Sequence, residues 1–274
     1  MKAHFDLSQT QECSELSDFY TGSKHRDSLD KLQLIIYIDD FQVANPLGNK
    51  AKKSKLTGIY FALGYSKLRS RDIFVLALFR AAYFKTYRTQ ILGHVVRDLK
   101  ELEEGGISVR RDNRVLRLYS RVAFVTADNL GVHSIAGFTE CFRGTQFICR
   151  YCHATTKDIQ SKFSVTDFNL RTKEEYDKCV AELKEARFSP RKCTEFGIKC
   201  PCELTVFDQF HPVESFPPDI SHDVFEGAAP KVISCVLGAL IDEKAITLDE
   251  INNSIVNFAY SGRDKAIISL NHSK

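Results

Sequence analysis

The chain has 274 residues, 43% hydrophobic and 27% charged, which suits one large or two small globular domains with a real core and argues against disorder. Its longest apolar stretches, Ile73 to Phe79 and Val232 to Ile241, are shorter than the roughly 20 residues of a membrane span, and MKAHFDLSQT at the N-terminus has no apolar signal-like run. No membrane partner and no secretion are therefore expected, and the chain is assigned to the nucleus or cytoplasm. Nine cysteines, an odd number irregularly spaced, read as reduced thiols or metal ligands in such a chain. The net charge of +3 conceals an asymmetry: Lys50 to Arg121 holds 17 Lys and Arg against 6 Asp and Glu, and the rest of the chain holds 21 against 29. A polyanion would go to the basic part, where Lys50, Lys52, Lys53 and Lys55 are followed by Lys67, Arg69 and Arg71 and then by Arg110, Arg111, Arg114, Arg117 and Arg121. Solvated faces carry such runs too.

In chain order, residues 1–31 are a polar lead-in. From Leu32, LQLIIYIDDF is a β-rich apolar run that stops at two carboxylates, as a buried strand does when its end opens into a site. A turn at Asn45-Pro46-Leu47-Gly48 precedes a second strand, Leu56 to Gly64, and the third is Asp72 to Arg80. Links this short favour antiparallel neighbours. The spacing then predicts a helix over Tyr87 to Glu104, with Ile91, Val95, Leu99 and Leu102 on one face and Gly105-Gly106 as its stop. A basic hairpin-like stretch, ISVRRDNRVLRLYS, leads to a fourth main strand that ends at Asp128, and a second helix starts within 131–140.

Beyond Cys141 the spacing turns to loops and metal-like pairs. Thr172 and Glu175 form a capping box for a helix to about Phe188, and residues 189–230, with six of the seven prolines, are expected to be mostly irregular. Two helices close the chain, Lys231 to Leu240 and another opened by the capping box Thr247 to Glu250, with Ile251, Ile255 and Phe258 apolar.

Three groups of residues could carry chemistry. Asp39, Asp40 and Asp128 end two strands. Carboxylates brought to adjacent strand ends repel by about 4 kcal/mol at an effective dielectric near 20, a conflict that Mg²⁺ or Mn²⁺ resolves. Strand-end aspartates also cap turns, and that reading stays open. Cys149 and Cys152 make half of a zinc site, with Cys193, Cys200, Cys202, His211 and His222 as candidates for the rest; buried free thiols are the alternative. In Pro217-Pro218-Asp219 to Gly227, Asp219, Asp223 and Glu226 fall at helical spacing and His222 and Glu226 are i and i+4; they suit a metal or phosphate, or simply the dipole of a helix start.

Taken together, Ile38-Asp39-Asp40-Phe41 with Asn45-Pro46-Leu47-Gly48, Lys55-Leu56-Thr57-Gly58, Ala127-Asp128-Asn129-Leu130-Gly131, Cys149-Arg150-Tyr151-Cys152 and Pro217-Pro218-Asp219-Ile220-Ser221-His222-Asp223 resemble the transposases of the CACTA (En-Spm) and Kyakuja/Dileera/Zisupton type, over roughly 32–241. The resemblance implies an α/β fold: a ribonuclease H-like mixed sheet with flanking helices at 32–140, a Cys/His-rich, mainly helical and irregular insertion at 141–230, and C-terminal helices at 231–274. It implies metal-dependent DNA strand cleavage and transfer by an acidic triad, with Asp39 as first acid, Asp40 as its alternative, Asp128 as second and Glu226 as the residue that can be named for the third. It also implies structural Zn²⁺ among Cys149, Cys152, Cys200, Cys202, Asp219 and His222, DNA contacts from Lys50, Lys52, Lys53, Lys55, Arg110, Arg111 and Arg114, and room for a homo-oligomer. The family's closing glutamate falls downstream of the insertion, so a truncated or domesticated copy, with or without surviving activity, is part of the expectation. A non-catalytic, zinc-stabilised DNA- or protein-binding module is the alternative.

Overall fold

The computed structural model describes residues 30–43, 55–64 and 72–259. Lys50, Lys52, Lys53, Lys67, Arg69, Arg71, the 1–29 lead-in and the Asn45-Pro46 turn lie outside the described residues. A four-stranded mixed sheet is built from β1 (Leu32–Gln42), β2 (Lys55–Leu63), β3 (Ile73–Arg80) and β6 (Ser120–Thr126), in the order β3-β2-β1-β6. The short links make β1, β2 and β3 antiparallel neighbours. β6 pairs with β1 in parallel, and it is reached only after α1 (Ala81–Glu104) and a separate hairpin of β4 (Ile107–Arg111) and β5 (Arg114–Leu118), the long crossover that parallel pairing demands.

Leu34, Ile36 and Ile38 of β1 alternate onto the buried face, and α1 covers the sheet with Leu92, Val95 and Leu99. The expected helix start at Tyr87 proves to be a kink inside a longer helix, where Tyr87 has φ −121° and ψ 26°. Ile91 is only half-buried, and Leu92 takes the core position beside it. After β6, Asp128 caps α2 (Asn129–Ala136), whose Val132, Ile135 and Ala136 are buried.

Residues beyond 140 feed the same core. α3 (Lys173–Glu185) contributes Tyr176, Val180 and Leu183, the segment after it contributes Ile198, Phe207, Phe210 and Phe216, and all of them cluster with the β1 and β6 side chains. The Val125 N–H donates to the Ser215 carbonyl at 2.9 Å, so an irregular segment occupies the free edge of β6. The chain divides into two compact units between Asp219 and Ile220, and apolar residues of 141–219 are part of the sheet's core. Within the expected irregular stretch, α4 (Pro190–Phe196) forms with Pro190 in its first turn and Gly197 in the left-handed region at its end.

Gly137 ends α2 with φ +81°, and a Cβ there would lie 2.1 Å from the Cys200 carbonyl oxygen. Its own carbonyl accepts from the Lys199 and Cys200 N–H groups. Gly137→Ala is therefore expected to cost about 2–3 kcal/mol, read as a lowered urea midpoint at unchanged slope.

The second unit, described by itself, holds a π-helical segment Ser221–Ala228 continuous with α5 (Ala229–Asp242), followed by α6 (Leu248–Val256) behind the Thr247–Glu250 capping box. Ser221–Asp242 is 22 residues long and contains an 18-residue window of mean hydropathy 1.6, long and apolar enough to cross a membrane by length and composition. The sequence expectation considered only Val232 to Ile241 and missed the turns that extend it. Asp223, Glu226 and Lys231 lie inside this helix, and each charge would cost about 2.5–3.5 kcal/mol at a bilayer centre.

Candidate functional site

The parallel register of β1 on β6 aligns Tyr37 with Thr126. Two residues further along each chain stand Asp39 and Asp128, so the acids at the ends of the first and last strands of the sheet lie at neighbouring positions. Both line one cavity of about 910 Å³, together with Asp40, Lys55, Thr57, Arg88 and Glu203.

Asp39 shares a sheet face with Tyr37, since successive side chains alternate. The Tyr37 hydroxyl is hydrogen-bonded to the Asp39 carboxylate; burial, then Asp39, Asp219 and Asp128 in decreasing order, push its pKa above the usual tyrosine range. Three carboxylates from distant parts of the chain thus act on one phenol. Gly58, opposite Asp39 in the β2 register, leaves space for the Tyr60 ring, which would meet a Cβ there at 2.4 Å. Asp39 also accepts from the Asp40 N–H at 2.7 Å. Asp128 is fixed by its capping role, its Oδ1 accepting from the Gly131 N–H at 2.5 Å. The capping and site readings of Asp128 are thus compatible: one oxygen is committed to the helix start.

Asp40 falls in a different environment. It accepts from the Thr57 hydroxyl and pairs with Lys55 at 3.1 Å, with both members of the ion pair largely exposed. Lys55, expected to touch DNA, is therefore already engaged with a carboxylate. Across the cavity, Arg88 holds Glu203 through two hydrogen bonds of 2.8 and 2.7 Å and donates to the Cys200 Sγ at 3.2 Å.

Within the first unit, the expected zinc ligands Cys149, Cys152, Cys200, Cys202 and Asp219 fall in different environments. Cys149 and Cys152 adjoin, their thiols hydrogen-bonded, and burial followed by the charge of Cys149 pushes the Cys152 thiol up to about 11. Cys200 faces Arg88, Cys202 is 2% exposed with its thiol pushed up to about 12 by burial, and Asp219 belongs to the Tyr37 cluster. His222 lies in the second unit, 4.0 Å from Glu226 on the same helix. Among the described residues no three His, Cys, Asp or Glu are gathered to hold a metal ion. Two thiols do not fill the four positions of a structural zinc site, so this donor set does not fit the ion and no role is derived from it. The neighbouring His153 ring packs on Phe147 at 4.8 Å, and burial lowers its pKa.

The loop between the two cysteines has a different use. Arg150, 3% exposed, donates to the Asn129 side chain directly after Asp128, to the Tyr151 hydroxyl at 2.6 Å and to the Pro217 carbonyl at 3.5 Å. Tyr151 in turn donates to the Phe216 carbonyl at 3.0 Å. The segment that leads to Asp219 is thereby tied to the start of α2. The sequence showed Arg150 only as filler between two cysteines, and no local pattern marks it as a clasp. Tyr37 was findable: it stands two residues before Asp39 and must share its face.

Two expectations on solution behaviour arise here. With its thiol held at about pH 11 and little surface, Cys152 is expected to resist iodoacetamide at pH 7.5 while the exposed Cys141 and Cys235 label quickly; peptide mass spectrometry reads the order. His133 is buried against Thr139 O at 2.9 Å with its pKa lowered, mainly by burial. The unfolded chain then binds the proton more readily, so stability is full above the unfolded value of about 6.5 and is lost as pH falls through the folded one. Urea unfolding at pH 8 and pH 5 checks the sign, and His133→Gln is expected to flatten the dependence.

No protein-family model matches the chain, and no curated protein matches it.

Proposed function

We propose that the first unit is a ribonuclease H-like catalytic core that cleaves and joins DNA strands, of the kind found in CACTA and Kyakuja/Dileera/Zisupton transposases. The observation that carries the reading is the parallel β1–β6 register, which sets Asp39 and Asp128 at adjoining strand ends on one cavity. Three antiparallel strands, a crossover helix and a fourth strand parallel to the first support it, as does the order β3-β2-β1-β6.

The donor set suits Mg²⁺ or Mn²⁺, which take one or two protein carboxylates and leave the other positions to water and phosphate oxygens. Bound at Asp39 and Asp128, such an ion would supply an activated nucleophile and charge stabilisation at the phosphodiester. The chain's own residues prepare that place. Tyr37 orients the Asp39 carboxylate, the Gly131 N–H fixes Asp128 Oδ1, and the Arg150–Tyr151 clasp holds the Asp219 segment near both. Glu226 belongs to the second unit, and its place as a third acid is part of the proposal.

The test is nicking of supercoiled DNA by the purified chain in Mn²⁺ and in EDTA. Cleavage that requires the ion supports the reading; its absence favours a non-catalytic DNA-binding module, for which the commitment of Asp128 to a helix cap and of Asp40 to Lys55 speaks.

A further inference from the structure

We propose that the β4–β5 hairpin is a ribbon that seats in the major groove of duplex DNA and grips its phosphates with Arg110 and Arg114. The inference rests on the reading of DNA as substrate and adds where the duplex is held. The hairpin forms a sheet of its own, apart from the four-stranded one. Its tip, Asp112-Asn113, has φ +46° and +60°, as a tight two-residue turn between twisted strands requires. Every described side chain from Ile107 to Arg117 is exposed. Residues 107–118 carry four arginines against one aspartate.

The register sharpens the argument. Arg110 pairs with Val115 and Arg111 with Arg114, so the backbone gathers three of the four arginines onto the two rungs next to the turn. Arg117 donates to the Gly105 carbonyl at 2.6 Å and secures the base of the hairpin, leaving Arg110 and Arg114, nearer the tip, for an anion. A two-stranded ribbon is what the roughly 12 Å major groove of B-DNA admits. The chain passes from the hairpin into β6, and Asp128 lies fourteen residues beyond Arg114, at most roughly 46 Å along an extended chain. That span is under about one and a half turns of B-DNA at about 34–36 Å per turn, so one duplex can reach the hairpin and the aspartates together.

The experiment is fluorescence anisotropy of a labelled 30-bp duplex with the full chain in EDTA, at about 50 to 200 mM salt. Arg110→Ala/Arg114→Ala is expected to weaken binding about tenfold at the lowest salt and to reduce the slope of log affinity against log salt by about 2, since each phosphate contact contributes about 0.9. Arg110→Lys/Arg114→Lys should keep most of that slope, and the melting temperature of both variants should stay within about 2 °C of the parent because the side chains are exposed. An unchanged slope in the alanine variant overturns the proposal. So does equal affinity for duplex RNA, whose deep, narrow major groove excludes a ribbon. Chelation removes any cleavage from the measurement, so failure here is distinguishable from failure to nick.

Discussion

Asp39→Asn and Asp128→Asn are each expected to reduce Mn²⁺-dependent nicking by on the order of 10³-fold, and the double variant little further, because in the proposed core both carboxylates serve one site. Asparagine keeps the shape of both side chains, and it caps a helix about as well as aspartate, so α2 should remain intact in Asp128→Asn. Circular dichroism and the melting temperature report that separately from activity. Asp40→Asn is the internal comparison. It removes a half-exposed ion pair with Lys55, worth about 0–1 kcal/mol, and leaves the Asp39–Asp128 pair untouched, so cleavage should fall by no more than about fivefold. An Asp40 variant as inactive as Asp39→Asn would reverse the assignment of the first acid.

The largest expected loss of stability belongs to Arg150→Ala, about 3 kcal/mol. The guanidinium is buried, stacks 4.4 Å from the Tyr151 ring centroid and serves three acceptors in separate segments, so its removal strands the Asn129 side chain and the Pro217 carbonyl and opens a cavity behind α2. Arg150→Lys should recover only part of that loss, since an ammonium cannot fork between Asn129 and Pro217. Denaturant unfolding gives the magnitude. The same variant has a functional readout: if the clasp holds the Asp219 segment at the site, nicking at a temperature where Arg150→Lys is fully folded should still be reduced.

The main sheet was legible because its signals are local. Apolar runs that end in Asp39-Asp40 and at Asp128, short links between the first three strands and a long one before the fourth dictate antiparallel and parallel partners, and Asp112-Asn113 marks the hairpin. The capping boxes at Thr172 and Thr247 appear as expected, each with its glutamate reaching back to the cap. What the sequence hid depends on contacts across more than sixty residues, such as Arg88 with Glu203, Arg150 with Pro217 and Tyr151 with Phe216, for which no spacing rule exists. α4 was a missed opportunity, since Ser189-Pro190 and Gly197 bracket it with ordinary start and stop residues. At 221–228 the helical spacing of Asp219, Asp223 and Glu226 behind Pro217-Pro218 marked a helix start, but nothing in it marked the π geometry. The zinc expectation drew on cysteine count and spacing, which measure only proximity along the chain, whereas Cys200 turns to Arg88 and Cys202 to the core.

The proposed chemistry requires Asp39 and Asp128 to hold one divalent cation between them. Titration of the chain with Mn²⁺, followed by the loss of the free-ion paramagnetic resonance signal, measures that directly. One ion bound per chain in the parent and in Asp40→Asn, with binding weakened at least tenfold in Asp39→Asn and in Asp128→Asn, is the predicted result. Equal Mn²⁺ affinity in all four proteins would contradict it.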